Sequence, residues 1–112
     1  MATSAASDLK TSLRAQGLSL REALPAQQRA AAANAIAGRP FPVSILPGVI
    51  VSGFMPIKSE INPLLLMRKL ADSGAQLALP VVAGRGKPLI MRSWQWGEPL
   101  AAGVWDIREP TP

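Results

Sequence analysis

The sequence predicts an α/β fold, and three observations lead to this prediction. Residues 8–37 are rich in Ala, Leu, Gln, Arg and Glu, which are good helix formers. Residues 47–82 show a strand–helix–strand pattern, which implies a parallel strand pair joined by a crossover. A further strand follows the turn at residues 83–88, as in a hairpin. The 112 residues therefore predict one domain that begins an open mixed sheet flanked by helices.

The first region is predicted to be helical from Asp8 to Ile36. Gly17 and Pro25 are expected to divide it into two helices, because both residues disfavour a helix interior. We interpret Gly38 as the C-cap of the second helix, and Pro40 follows it.

The α/β region contains three predicted strands around one helix. The strands cover Val49–Phe54, Gln76–Val82 and Leu89–Trp94. The helix is predicted over Ile61–Ala71, with Ser59 as its N-cap and Pro63 in its first turn. Residues 95–112 are rich in Gly and Pro, and we expect this tail to be irregular.

Composition limits the chemistry. The chain has no cysteine and no histidine, which excludes disulfides, thiolate metal sites and the commonest general base. The net charge of +5 favours anionic partners such as phosphates, nucleic acid or polycarboxylates. The basic residues are scattered rather than clustered, so we expect no nucleic-acid partner. We see no secretory signal and no apolar run long enough for a membrane, and we expect a cytoplasmic protein.

Five stretches of the sequence carry motifs that occur together, in the same order, in one protein family. They are Lys10–Arg14 (within LKTSLR), residues 53–61 (GFMPIKSEI), residues 74–82 (GAQLALPVV), residues 87–94 (KPLIMRSW) with Gly97–Leu100, and residues 103–110 (GVWDIREP). In this order and spacing they resemble the N-terminal half of the 5-formyltetrahydrofolate cyclo-ligase family, most closely its bacterial branch.

The resemblance implies an ATP-dependent enzyme that closes 5-formyltetrahydrofolate to 5,10-methenyltetrahydrofolate, with Mg²⁺ accompanying the nucleotide. In this family the formyl oxygen is phosphorylated, the neighbouring amine attacks the formyl carbon, and phosphate leaves. Phosphoryl transfer requires mainly that the protein position the reactants and stabilise charge, so a chain without histidine can still take part in this reaction.

The resemblance assigns the ATP phosphates to Lys10 and Arg14. The two residues are one helical turn apart and project from the same face. Without the resemblance, an ordinary solvated basic face is the better interpretation.

The resemblance assigns the folate to a second set of residues: Phe54, Met55, Glu60, Trp94 and Trp105. A carboxylate at Glu60 suits the donor groups of a pterin, and the aromatic rings suit a flat ligand. The alternatives are a first-turn acid that satisfies a helix dipole for Glu60 and core packing for the tryptophans. Phe54 stands where many relatives carry Tyr, and Asp106 stands where many bacterial relatives carry Gly.

Two other features have simpler explanations. AGRGKP at residues 83–88 lacks the spacing of a phosphate-binding loop, so we interpret it as a hairpin turn. Arg92 is either a cation for the folate tail or a surface charge, and we favour the surface charge.

Three functional interpretations remain open. The first is a cyclo-ligase whose activity needs a C-terminal half, since the family's glycine-rich nucleotide loop is missing here; a second chain or a missing segment would supply it. The second is a non-catalytic basic module that binds RNA or a nucleotide. The third is a degenerate relative that keeps the fold without the activity.

Overall fold

The computed structural model describes residues 5–103 and 107–111. The helices in these ranges are α1 (Ala5–Ala23), α2 (Ala26–Gly38) and α3 (Leu64–Asp72). The strands are β1 (Ile50–Ser52), β2 (Gln76–Val81), β3 (Ile90–Trp94), β4 (Leu100–Ala102) and β5 (Arg108–Pro110). The general α/β class that the sequence predicts is therefore confirmed.

The main sheet has three strands in the order β1–β2–β3. β1 runs parallel to β2, with Val51 opposite Leu77, and β2 runs antiparallel to β3, with Leu79 opposite Arg92. A parallel neighbour requires a crossover connection, and α3 supplies it. The strand–helix–strand unit and the hairpin are both confirmed, although each strand is shorter than predicted.

The core lies between α3 and the centre of the sheet. Met67 of α3, Leu77 and Leu79 of β2, and Trp94 of β3 form one buried cluster. Full burial of an apolar side chain of this size contributes about 1.5–3 kcal/mol, so this cluster holds α3 on the sheet. A Cβ atom at Gly53 would overlap the Met67 side chain, so the glycine at this position lets α3 approach the end of β1 closely.

Lys69 joins α3 to the end of α2. Its Nζ donates hydrogen bonds to the carbonyl oxygens of Ala37 and Arg39, each at 2.9 Å. An ammonium group here satisfies acceptors that the helix end leaves open and suits the negative end of the helix dipole. Gly38 is the last helical residue, so Arg39 is the C-cap rather than the predicted Gly38.

The prediction that Gly17 divides the first helical region is wrong. α1 continues through Gly17, and the chain breaks only around Pro25 before α2 begins. A glycine in a helix interior costs only about 1 kcal/mol, which a 19-residue helix tolerates. None of the helices in the described part of the chain combines the length and apolar character needed to cross a membrane.

The start of α3 also differs from the prediction. The helix begins at Leu64, and the side-chain Oδ1 of Asn62 accepts a hydrogen bond from the Leu64 N–H at 2.9 Å. The predicted N-cap, Ser59, is buried instead, and its Oγ accepts a hydrogen bond from Nε of Arg21 at 2.8 Å. A partner 38 residues away in the chain takes the hydroxyl, which local sequence could not reveal.

The prediction of an irregular tail over residues 95–112 is wrong as well. β4 and β5 form a second, two-stranded antiparallel sheet. Oε2 of Glu109 accepts a hydrogen bond from the Val82 N–H at 3.0 Å, and Nη1 of Arg92 donates to the Pro110 carbonyl at 2.8 Å. These two contacts tether the second sheet to the end of β2 and to the middle of β3. Arg92 is thus a structural tether, in contrast to both roles considered for it.

We expect Glu109→Ala to lower the free energy of unfolding by about 1.5–3 kcal/mol, the usual contribution of a hydrogen bond to a charged group. Urea denaturation followed by circular dichroism measures this change. Glu22→Ala, on the exposed surface of α1, is the matched control and should change it by less than about 0.5 kcal/mol. Equal effects of the two substitutions would show that Glu109 does not anchor the second sheet.

Candidate functional site

Glu60 closes a tight turn that orients its carboxylate. Oε1 of Glu60 accepts a hydrogen bond from the Ile57 N–H at 2.8 Å, and the Glu60 N–H donates to the Ile57 carbonyl at 3.1 Å. Lys58, inside the turn, adopts a φ of 52°, which is uncommon for a residue with a side chain. The other carboxylate oxygen, Oε2, has no hydrogen-bond partner among the described residues. The turn therefore presents one free acceptor in a fixed direction.

Glu60 lines a cleft that we call the Glu60 cleft. It encloses about 240 Å³ between the start of α2 and the segment from Pro56 to Asn62. Arg29 of α2 and Lys58 line it together with Glu60. The arrangement offers a ligand one anionic acceptor flanked by two cationic donors. Arg29 was not among the predicted site residues, because nothing in the local sequence links it to a turn so far along the chain.

The helix α1 is attached to the same segment by its basic face. Lys10, Arg14 and Arg21 lie at spacings of four and seven residues, which place all three on one face of a helix. Arg21 donates its hydrogen bond to Ser59, the residue before Glu60. Arg14 and Lys10 then follow about 10 and 16 Å farther along the helix axis. Both are exposed, and neither has a hydrogen-bond partner in the described ranges.

Phe54, predicted as the last residue of the first strand, lies beyond the end of β1 together with Met55, and the two side chains have different surroundings. Phe54 is 38% exposed and available to a ligand. Met55 is half-buried and packs against the core cluster. Neither lines the Glu60 cleft, so the structure does not bring all the predicted folate residues into one cavity.

The tryptophans divide between the core and the surface. Trp94 is only 6% exposed, and its Nε1–H donates to the Glu98 carbonyl at 3.0 Å. This environment matches the core alternative considered for Trp94. Trp96, which was not among the predicted site residues, is 40% exposed and lies 5.5 Å from Trp94 between ring centroids. Trp105 and Asp106 lie outside the described residues.

The AGRGKP segment connects β2 and β3 as a hairpin turn, as predicted. Gly86 has a φ of 73°, a conformation that favours glycine.

A nucleotide and its metal have only a partial set of partners among these residues. No group of three or more acidic side chains that could hold a metal ion occurs in residues 5–103 and 107–111. Mg²⁺ in nucleotide sites usually relies on one or two carboxylates plus the phosphates themselves. The described residues therefore offer no metal site built from protein ligands alone, and a Mg²⁺ ion would need ligands from a bound phosphate.

Comparisons with protein-family models, curated proteins and solved structures found no match for this chain. Any functional assignment must therefore depend on the motifs and on the geometry of the site itself.

The contact between Arg21 and Ser59 should be energetically specific, because it satisfies the buried Ser59 hydroxyl. In a double-mutant cycle of Arg21→Ala and Ser59→Ala, we expect a coupling energy of about 1 kcal/mol in the free energy of unfolding. Arg21→Ala should also speed hydrogen exchange in the second half of α1. As a control, Arg85→Ala combined with Ser59→Ala should be additive, and a coupling near zero for Arg21 would contradict the contact.

Proposed function

We propose that this chain contributes the folate-binding side and a basic phosphate-binding helix to a cytoplasmic, ATP-dependent 5-formyltetrahydrofolate cyclo-ligase. In this proposal the reaction converts 5-formyltetrahydrofolate to 5,10-methenyltetrahydrofolate, and further polypeptide completes the enzyme. ATP with Mg²⁺ would supply the phosphoryl group that activates the formyl oxygen.

The oriented Glu60 carboxylate is the observation that carries this proposal. Its free oxygen can accept a hydrogen bond from the ring N–H or amino group of a pterin, which are donors that need an acceptor. Arg29 and Lys58 can donate to the carbonyl of the same ring or to an anionic part of the ligand. At about 240 Å³ the cleft lies below the roughly 300–1,000 Å³ of whole-ligand pockets, so it suits one ring system rather than a complete folate.

The basic face of α1 supports the proposal that this chain contacts the phosphates of ATP. Arg21 ties this face to Ser59, so Lys10 and Arg14 project from the same side of α1 as the Glu60 turn. Two cations one turn apart can neutralise part of a triphosphate through charge-assisted hydrogen bonds.

Uncovered apolar surface supports the need for further polypeptide. β1 and β3 are the edges of the main sheet in the described part of the chain, and Ile50, Ile90 and Met91 are exposed on them. Unpaired sheet edges with exposed apolar side chains favour pairing with another segment. In our proposal, the polypeptide that completes the nucleotide site also covers these edges.

We expect Glu60→Ala to weaken the binding of 5-formyltetrahydrofolate by on the order of 1.5–3 kcal/mol, because the ligand loses a hydrogen bond to a charged group. Isothermal titration calorimetry measures the affinity. Glu22→Ala is the matched control and should leave it unchanged. An unchanged affinity in Glu60→Ala would mean that Glu60 does not contact the folate.

Reversing both charges, Lys10→Glu with Arg14→Glu, should abolish most ATP binding and leave folate binding intact. The reason is that only the phosphates are expected to contact this face of α1. Arg85→Glu with Lys87→Glu, in the β2–β3 turn, changes the net charge by the same amount and should have little effect on either ligand.

Catalysis itself is tested by the absorbance of the methenyl product, with and without ATP, using the chain together with the polypeptide that completes it. ATP-dependent product formation that Glu60→Ala reduces would support the enzyme. Steeply salt-dependent binding of oligonucleotides, with no response to ATP and folate, would favour a basic binding module instead.

A further inference from the structure

A second cleft lies where β2 begins and β3 ends, and we call it the Trp96 cleft. It encloses about 330 Å³ and shares no lining residue with the Glu60 cleft. Ala71 of α3 and Ala75 form one wall, and Gln76, Ser93, Gln95 and Trp96 supply its polar and aromatic lining. Leu77 and Trp94 complete the lining, and of the lining residues only Trp94 was among the predicted folate residues.

Trp96 forms a rigid platform in this cleft. The turn from Gln95 to Glu98 holds it through a hydrogen bond from the Glu98 N–H to the Gln95 carbonyl at 2.9 Å. The Trp94 ring packs against it at an angle of 58°, and the guanidinium carbon of Arg68 lies 5.8 Å from its ring centroid. Because these contacts order the indole before any ligand binds, stacking on it costs little conformational entropy.

Three polar residues line the cleft. The side chains of Gln76, Ser93 and Gln95 make no hydrogen bond to any described residue. The register of β2 and β3 pairs Leu77 with Trp94, so Gln76 and Gln95 lie opposite each other one position further along. Two neighbouring amides beside an indole provide paired donors and acceptors along the edge of a stacked ring.

We propose that the Trp96 cleft binds a purine mononucleotide, with its base stacked on Trp96. A Gln amide can pair with adenine through N6 and N7, and a flat indole is a sequence-tolerant platform for a base. No acidic side chain lines the cleft, so it lacks the carboxylate that a donor-rich pterin prefers. Arg68 does not line the cleft itself, but its guanidinium carbon lies 5.8 Å from the Trp96 ring centroid, which places a cation next to the platform for the phosphate. The volume suits the base, and the sugar and phosphate would extend towards Arg68.

This inference does not depend on the proposed cyclo-ligase activity, and calorimetric titration with AMP tests it. We expect Trp96→Ala to weaken AMP binding at least about tenfold, because base stacking on an aromatic side chain is lost. The double variant Gln76→Ala with Gln95→Ala, whose residues are both exposed, should weaken it severalfold without disturbing the core. Arg68→Ala should weaken the binding of AMP more than that of adenosine, because only AMP also loses a phosphate contact. Leu89→Ala, an exposed residue of the hairpin, is the control.

The outcomes separate this site from the basic face of α1. Retained AMP binding in the Lys10→Glu, Arg14→Glu variant, together with its loss in Trp96→Ala, would support the Trp96 cleft. The reverse pattern would overturn the inference, as would a wild-type chain that binds UMP as tightly as AMP or binds no AMP at all. Circular dichroism of each variant confirms that the fold is intact, and the double glutamine variant decides the question if Trp96→Ala unfolds.

Discussion

Burial of β2 is the constraint on which the rest of this structure depends. Three consecutive residues of this strand, Leu77, Ala78 and Leu79, are buried, so the strand needs cover on both of its faces. β1 and β3 pair with its two edges, and α3 and β5 also pack against it. Helix α2 then packs on α3, with Lys69 satisfying its last carbonyls. Only α1 stands apart, because it has no buried residue and is tied to the body through Arg21 and Ser59.

This arrangement separates the two clefts. The chain leaves β1 towards the carboxyl end of β2, and it forms the Glu60 turn before returning through α3. Ligands in open α/β sheets commonly bind outside the carboxyl ends of the strands, which agrees with the position of Glu60 in the chain. The Trp96 cleft lies at the other end of β2, where the strand begins at Gln76. Met67 of α3 packs beside Gly53 at the end of β1, and Ala71 of the same helix lines the Trp96 cleft.

Local sequence patterns predict the elements whose formation depends mainly on neighbouring residues. The β-branched residues before Gly53, the apolar periodicity of α3 and the glycine turn at Gly86 are enough to predict the strand–helix–strand unit and the hairpin. Two of the errors arise where a distant partner decides the outcome. Ser59 pairs with Arg21 instead of capping α3, and the second sheet depends on Glu109, whose partner Val82 belongs to another part of the chain. Lys10 and Arg14 were predicted as a pair, whereas the link from their helix face to the Glu60 turn required the three-dimensional structure.

Trp94 and Trp96 lie in different environments, and their spacing in the sequence does not predict this difference. Residues two apart in a strand share a face, so Trp94 and Trp96 would be equivalent if β3 continued. The strand ends at Trp94, which turns inward to the core, and the turn at Gly97 brings Trp96 to the surface. The buried ring supports the exposed one, and Arg68 packs on its face. Trp94 therefore packs against Trp96 at the Trp96 cleft, and Trp96 is the more exposed of the two indoles.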